Sequence, residues 1–218
     1  MTGFVFDVWS ALVLAGLVGM AAAAMWTLIP RWHGIPPTPS RERWIRKALA
    51  QAQVQPDEVV VDLGAGDGRV LRIAAREFGA RAVGYEVEPL HCAVGWLGAL
   101  FGGVLSRVSI RNKDLYRADL SQADVVFLYL NPTFVENLRQ PLCQQLPPGA
   151  RVVSLDFPFE GWEPSEVDIG YLIFTYRMPP EPGGLGTYLR RRLSLLSPLG
   201  VAPSGIGPAL DIPPSPND

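Results

Sequence analysis

The stretch VVDLGAGDGRV, Val60 to Val70, constrains this chain more than any other. A β-branched apolar run enters a turn built on Gly64, Gly66 and Gly68 and leaves as a helical pattern, which specifies a strand, a tight turn and a helix in that order. Gly64 and Gly66 remove Cβ atoms where the backbone must turn sharply and let a ligand approach, and Gly68 lets the next helix start close to the sheet. Other short apolar runs carry no polar alternation and read as buried strands: Ala82 to Tyr85, Val108 to Ile110, Val125 to Leu130 and Val152 to Leu155, beside Val59 to Leu63. Helices are expected between them. One runs from Arg69 to Phe78 with Gly79 as its stop, one starts at Pro89, and one follows Asn131-Pro132, with Pro141 expected to kink or restart it. Ser40 can cap an earlier helix whose Trp44, Ile45, Ala48, Leu49 and Ala52 form one apolar stripe. Ile169 to Tyr176 and Thr187 to Leu193 are candidate late strands. The alternating order implies a mainly parallel sheet with helices on both faces.

With 218 residues, 48% of them hydrophobic, one well-buried domain and short appendages are expected. From Val8 to Ile29 the chain is uncharged and largely apolar, long enough at helical rise to cross a hydrocarbon core of roughly 30 Å. Trp9 and Trp26 sit near its ends, as interfacial indoles do. No Lys or Arg precedes the run, which argues against a cleaved signal peptide. Arg31, Arg41, Arg43, Arg46 and Lys47 follow it, placing the rest of the chain in the cytoplasm of a single-pass protein, at the inner membrane if the source is bacterial. The resulting division is an anchor over 1–30, a Pro-rich linker over 31–40, a domain over 41–196 and a disordered Pro/Ser/Gly tail over 197–218. A net charge of -2 supplies no global attraction to nucleic acid. Cys92 and Cys143 stand apart and read as reduced, buried packing residues. His33 and His91 form no ligand-like cluster, so neither a metal site nor a histidine triad is expected.

Two acids sharpen the glycine turn. Asp62 lies on the strand before it, and Glu86 ends the next strand, placed to accept hydrogen bonds from ribose hydroxyls. Both NAD and S-adenosylmethionine (SAM) meet that requirement. Arg69, however, stands where a pyrophosphate-binding turn has its third glycine, and Asp62 opposes an anionic pyrophosphate but suits the cationic amino-acid end of SAM. SAM is the favoured cofactor, with Asp62, Gly64, Ala65, Gly66, Gly68, Glu86 and Val87 expected to contact it. Asp114 and Leu115 offer a carboxylate to an adenine amino group and an apolar face to its ring. Glu88, before Pro89, reads as a helix cap.

These residues resemble the class I SAM-dependent methyltransferases, and Gly34 to Trp162 looks like the protein-lysine methyltransferases related to those acting on ATP synthase subunit c and the adenine nucleotide translocase. The resemblance is carried by Pro37-Thr38-Pro39 with its basic helix, by VVDLGAGDGRV, by Ala80 to Pro89, and by Asp114 through ADVVFLYL to GARVVSLDFPFEGW. It implies a Rossmann-like fold with a seven-stranded sheet and, with the shared N-terminal anchor, a lysine acceptor on a membrane-associated protein. One segment departs from it. Asn131-Pro132-Thr133-Phe134 is similar to the Asn-Pro-Pro-aromatic motif of methyltransferases acting on adenine or glutamine nitrogens, although Thr133 breaks the motif.

Methyl transfer from a sulfonium needs proximity and alignment more than acid or base groups, and the acceptor amine must arrive unprotonated. Asn131 is placed to hold that amine, and equally to cap a helix. Tyr129 either lines the acceptor slot or packs, Phe134 is expected to pack, and Asp156 to Phe159 end the fifth strand at the ligand-facing edge, where they either shape the acceptor channel or serve as turn and core. Pro37 and Thr38 close over the cofactor or serve as linker, and Arg190, Arg191 and Arg192 either meet anionic lipid or an acidic partner or, as the favoured reading, form a solvated face. An NAD-dependent oxidoreductase and a SAM-binding module without catalysis are the rival functions.

Overall fold

β1 (Val59–Leu63) lies in the interior of a seven-stranded sheet, where its valines are buried on both faces. Val60 points to one side and Val61 to the other, the period of two that a doubly covered strand requires. β2 (Arg81–Glu86) and then β3 (Val108–Asn112) flank it on one side, and β4 (Val125–Leu128), then β5 (Arg151–Leu155), on the other; all these neighbours are parallel. β8 (Ile173–Arg177) pairs antiparallel with β5 and with the short β7 (Glu166–Asp168), giving the order β3-β2-β1-β4-β5-β8-β7. This is the Rossmann-like class I methyltransferase arrangement. The computed structural model describes residues 9–20 and 42–196, which fall in two compact units, Met1–Arg41 and Glu42–Asp218.

Three helices cover one face. α2 (Glu42–Gln51) buries Ile45, Ala48 and Leu49, α3 (Arg69–Glu77) buries Val70, Leu71, Ile73, Ala74 and Ala75, and α4 (Pro89–Phe101) buries only Gly95 and Ala99. Leu49, Leu71, Phe127 and Val153 meet in this core, and a fully buried side chain of this size is worth about 2–3 kcal/mol. α2 is also fastened to the far end of the sheet: Gln51 Nε2 donates to Thr175 Oγ1 at 3.0 Å, and Trp44 meets Tyr171 edge to face. The opposite core gathers Leu63, Tyr85, Leu128, Leu138, Leu142 and Tyr176, with α5 (Pro132–Gln145) over it. Arg151 bridges the elements below β1, donating to Glu58 at 2.6 Å and to the Ala52 carbonyl at 3.0 Å.

The structure corrects several expectations. Thr187 to Leu193 is no strand but part of α6 (Leu185–Leu196). Gly183 and Gly184 break the chain after the two-residue β9 (Glu181–Pro182), Thr187 and Tyr188 both donate to the Gly184 carbonyl, and the partly buried Leu185 and Tyr188 stand one helical turn apart. β9 pairs with β6 (Trp162–Glu163), a ribbon absent from the sequence reading, and Arg191 holds α6 to it through Glu163 at 3.0 Å. The other late strand is shorter than Ile169 to Tyr176. β3 is an edge strand with Ser109, Arg111 and Asn112 exposed, not a buried one. α5 continues through Pro141 without restarting. Cys143 is exposed and Cys92 half-buried, so neither is a fully buried packing residue, though both are free thiols.

Of the apolar run Val8 to Ile29, residues 9–20 form a helix, α1, and the remainder lies outside the described residues. Among the described residues no helix is long and apolar enough to cross a membrane. The linker over 31–40, with Pro37, Thr38 and Ser40, and the tail over 197–218 likewise lie outside them.

Candidate active site

Five parallel strands bring their C-terminal ends to one edge of the sheet. Successive connections lead from β1 through β2 to β3 on one side and from β4 to β5 on the other, so the strand order reverses between β1 and β4. Open α/β sheets bind ligands in the crevice at that point. The loop 64–68 leaves β1 there with φ of 93° at Gly64, 53° at Gly66 and 72° at Gly68, the left-handed values that glycine adopts without strain. Gly64 and Ala65 both donate to the Tyr85 carbonyl, at 2.9 and 3.0 Å, pinning the loop to β2. A Cβ at Gly68 would lie 3.2 Å from Gly95 Cα on α4 and 3.4 Å from Ile110 Cδ1 on β3, so α3 starts close to both helix and sheet.

Glu86, 9% exposed at the end of β2, accepts from Gly66 N–H at 2.8 Å with one carboxylate oxygen and from Glu88 N–H at 2.9 Å with the other. Its carboxylate therefore stands fixed beside the glycine loop. Asn112 completes the frame, donating to the carbonyls of Glu86 and Val87 at 2.9 and 2.8 Å. Sequence reasoning missed this residue, since an Asn at a strand end carries no motif. Asp62 is 3% exposed, and no described residue donates a hydrogen bond to its carboxylate or pairs with it. Burial pushes its pKa up to about 8, with the nearby charges of Glu86 and Asp67 adding to the effect. Burial acts to raise Asp67 as well, but the Arg69 guanidinium at 2.6 Å outweighs it and holds that carboxyl below its ordinary value. Asp67 is thus compensated internally. Asp62 and Glu86 are two adjacent acids without a cation, a donor set that fits a cationic group bearing hydroxyls and does not fit a pyrophosphate.

Asp114 lies beyond β3, exposed, and its side chain accepts from Tyr116 N–H at 3.0 Å, capping the turn Leu115–Arg117. Leu115 packs partly buried against the core. After β4, Tyr129 packs partly buried against the helix-covered core, and Asn131 caps α5, its Oδ1 accepting from Phe134 N–H at 3.2 Å. Phe134 stacks on Tyr116 with ring centres 6.0 Å apart, joining the loop after β3 to the start of α5. After β5, Asp156 holds φ of 67°, a left-handed conformation uncommon outside glycine. Phe157 and Pro158 are exposed beside it, whereas Phe159 turns into the core against Trp162 and Tyr176. Phe159 therefore does not face the crevice. Among the described residues no cluster of His, Cys, Asp or Glu is suited to a metal ion.

This sheet order, with a glycine loop and a strand-end acid at its switch point, defines a class I SAM-dependent methyltransferase. Residues 62–166 match the family described as the ANTKMT methyltransferase domain. A protein-lysine N-methyltransferase of Saccharolobus islandicus is 37% identical over 134 residues, covering 61% of this chain and 83% of that one. The adenine nucleotide translocase lysine N-methyltransferase of Mus musculus is 33% identical over 158 residues, covering 68% of each. The chain belongs to this methyltransferase family, and its cofactor is SAM. Among solved structures, an RNA methyltransferase from Salinibacter ruber in complex with S-adenosyl-L-homocysteine is 39% identical, with a TM-score of 0.63, covering 68% of this chain and 97% of that one.

Proposed function

We propose that the protein methylates the side-chain amine of lysine on a membrane-associated protein. The uncompensated pair Asp62 and Glu86 carries the cofactor side of this reading, and the lysine methyltransferase relatives carry the acceptor side. When bound, SAM supplies a methyl group already activated by its sulfonium. Glu86 accepts hydrogen bonds from the ribose hydroxyls, Gly64, Ala65, Gly66 and Gly68 bring backbone close to the ligand, and Asp62 faces its cationic end. Val87 and Leu115 border the base, with Asp114 toward its amino group. Asn131 and Tyr129, at the end of β4, hold the acceptor nitrogen with its lone pair turned toward the methyl carbon, while exclusion of water keeps that amine neutral. Residues 8–29 serve as a membrane anchor that leaves the catalytic unit on the cytoplasmic side.

A nucleic-acid amine is the second reading. It is favoured by the name of the Salinibacter relative and by the Asn131 to Phe134 segment, and opposed by the net charge of -2. One experiment separates them. Labelled SAM and the full chain are incubated with membranes and with RNA; label in a membrane protein, recovered as methyllysine, supports the first reading, and label in RNA alone replaces it with the second.

A further inference from the structure

α4 lacks the polar outer face that a helix covering a sheet normally carries. Pro89–Phe101 contains no charged residue, and its outward positions are all apolar: Leu90, Ala93, Val94, Trp96, Leu97, Leu100 and Phe101. Phe101 is 85% exposed and Trp96 48%, and Leu90, Val94, Leu97 and Phe101 recur at helical spacing as a single stripe. Val87, also exposed, extends the apolar surface toward the crevice. A continuous patch of this kind marks an interaction site. Thirteen residues are too few to span a bilayer, but suffice to lie in its surface with one side buried among the acyl chains.

Charge beside the patch selects the occupant. Arg69, Arg72 and Arg76 recur at helical spacing along α3, the helix adjoining α4. The Arg72 guanidinium lies so close to α4 that its Nη1 would be 2.6 Å from a Cβ at Gly98. Ala75 packs with Ala99 and Val104, which puts the Arg76 end of α3 beside the Phe101 end of α4. Arg69 pairs with the Asp67 carboxylate, Arg72 donates to the backbone carbonyl of the same residue and shares that single negative charge, and Arg76 has no carboxylate partner among the described residues. Trp96 adds an amphipathic ring of the kind that settles at headgroup level.

We propose that α4 docks on an anionic phospholipid bilayer, burying the stripe Leu90, Val94, Leu97 and Phe101 below the headgroups, with Arg72 and Arg76 against the phosphates. This deepens the reading of a membrane-associated acceptor and rests on it, since docking sets the cofactor crevice beside the lipid surface. The α4 contact is separate from any hold by residues 8–29.

The test uses the full chain in vesicles of phosphatidylcholine with phosphatidylglycerol. A polarity-sensitive fluorophore is attached at Leu97→Cys, or at Gln140→Cys on α5 across the sheet, in a background of Cys92→Ala and Cys143→Ala. Brominated lipid is expected to quench the label at position 97 roughly twofold or more and to leave position 140 unchanged. Replacing phosphatidylglycerol with phosphatidylcholine should weaken the effect, as should Arg72→Gln with Arg76→Gln. Equal, weak quenching at both positions overturns the proposal. So does shielding of position 97 without lipid, which identifies a second copy if it grows with concentration and the chain's own apolar segment if it does not. Leu97→Glu with Phe101→Glu gives a second readout: loss of methylation of membrane-embedded substrate with S-adenosylhomocysteine binding retained supports docking, and undiminished methylation counts against it. Wild-type protein that methylates no lysine at all removes the function proposed above and leaves the quenching result standing.

Discussion

Gly66 gives its backbone N–H to the carboxylate of Glu86 at 2.8 Å, so the loop after β1 and the acid ending β2 hold one another in place. Glu86 thus does two things at once, ordering the loop and presenting an oxygen to a ligand. Glu86→Gln keeps the shape but can accept with one oxygen only, and loses a charge-assisted bond. Cofactor affinity is expected to fall about tenfold, equivalent to about 1.4 kcal/mol. Calorimetric titration with S-adenosylhomocysteine checks this, and an unchanged Kd would remove Glu86 from the binding site.

Asp62 is expected to weaken the ligand-free protein as the solution becomes more alkaline. Its folded pKa, pushed up to about 8, lies above the ordinary value of 3.8, so the folded state holds the proton more tightly. The associated stability is complete below pH 4 and is lost as pH rises through 8, by up to about 1.4 kcal/mol per pH unit. Asp62→Asn should therefore melt at higher temperature than wild type at pH 8 to 9, the gap closing toward pH 4, while binding SAM more weakly. Thermal melts across that range test both parts; a constant gap would mean that Asp62 is not the titrating group.

Asn131 serves α5 whatever else it does. Asn131→Ala removes the cap and is expected to cost about 1 kcal/mol. Asn131→Asp keeps a capping oxygen but not the carboxamide. Near-native stability with turnover lowered at least about tenfold in Asn131→Asp is the outcome expected of an acceptor-binding group. Full turnover in the aspartate variant would leave Asn131 as a cap alone.

Gly68→Ala places a methyl group 3.2 Å from Gly95 Cα, at a φ of 72° that already disfavours any side chain. Backbone must yield, so a loss of about 1–3 kcal/mol is expected in denaturant unfolding. Gly66→Ala, with nothing within 4 Å of its Cβ, should lose less stability and show its effect in cofactor binding. Equal losses at the two positions would contradict this geometry.

Legibility followed the strength of local physics. The valine runs of β1 and β5 and the glycine turn between Leu63 and Arg69 are specified by contiguous residues, and they appeared where the sequence put them, whereas β4 ends at Leu128, two residues short of the expected Leu130. Thr187 to Leu193 misled because β-formers such as Thr187 and Tyr188 sit in a segment whose fate depends on Gly183-Gly184 and on burial of Leu185 and Tyr188. The ribbon of β6 and β9 joins residues 162–163 to 181–182, a pairing no local pattern announces. At the site, Asp62 and Glu86 were visible through their spacing from the glycines. Asn112 was not, because its importance lies in two carbonyls supplied by a neighbouring strand.

The grip of Gln51 on Thr175 sets a timetable for biosynthesis. The two residues are 124 positions apart, so α2 leaves the ribosome long before β8 exists to receive it. Until then Trp44, Ile45 and Leu49 have only part of their shelter, and a translating ribosome carries an unfinished, adhesive sheet. Truncating the chain ahead of residue 175 should therefore yield a product that chaperones retain, not a smaller folded enzyme.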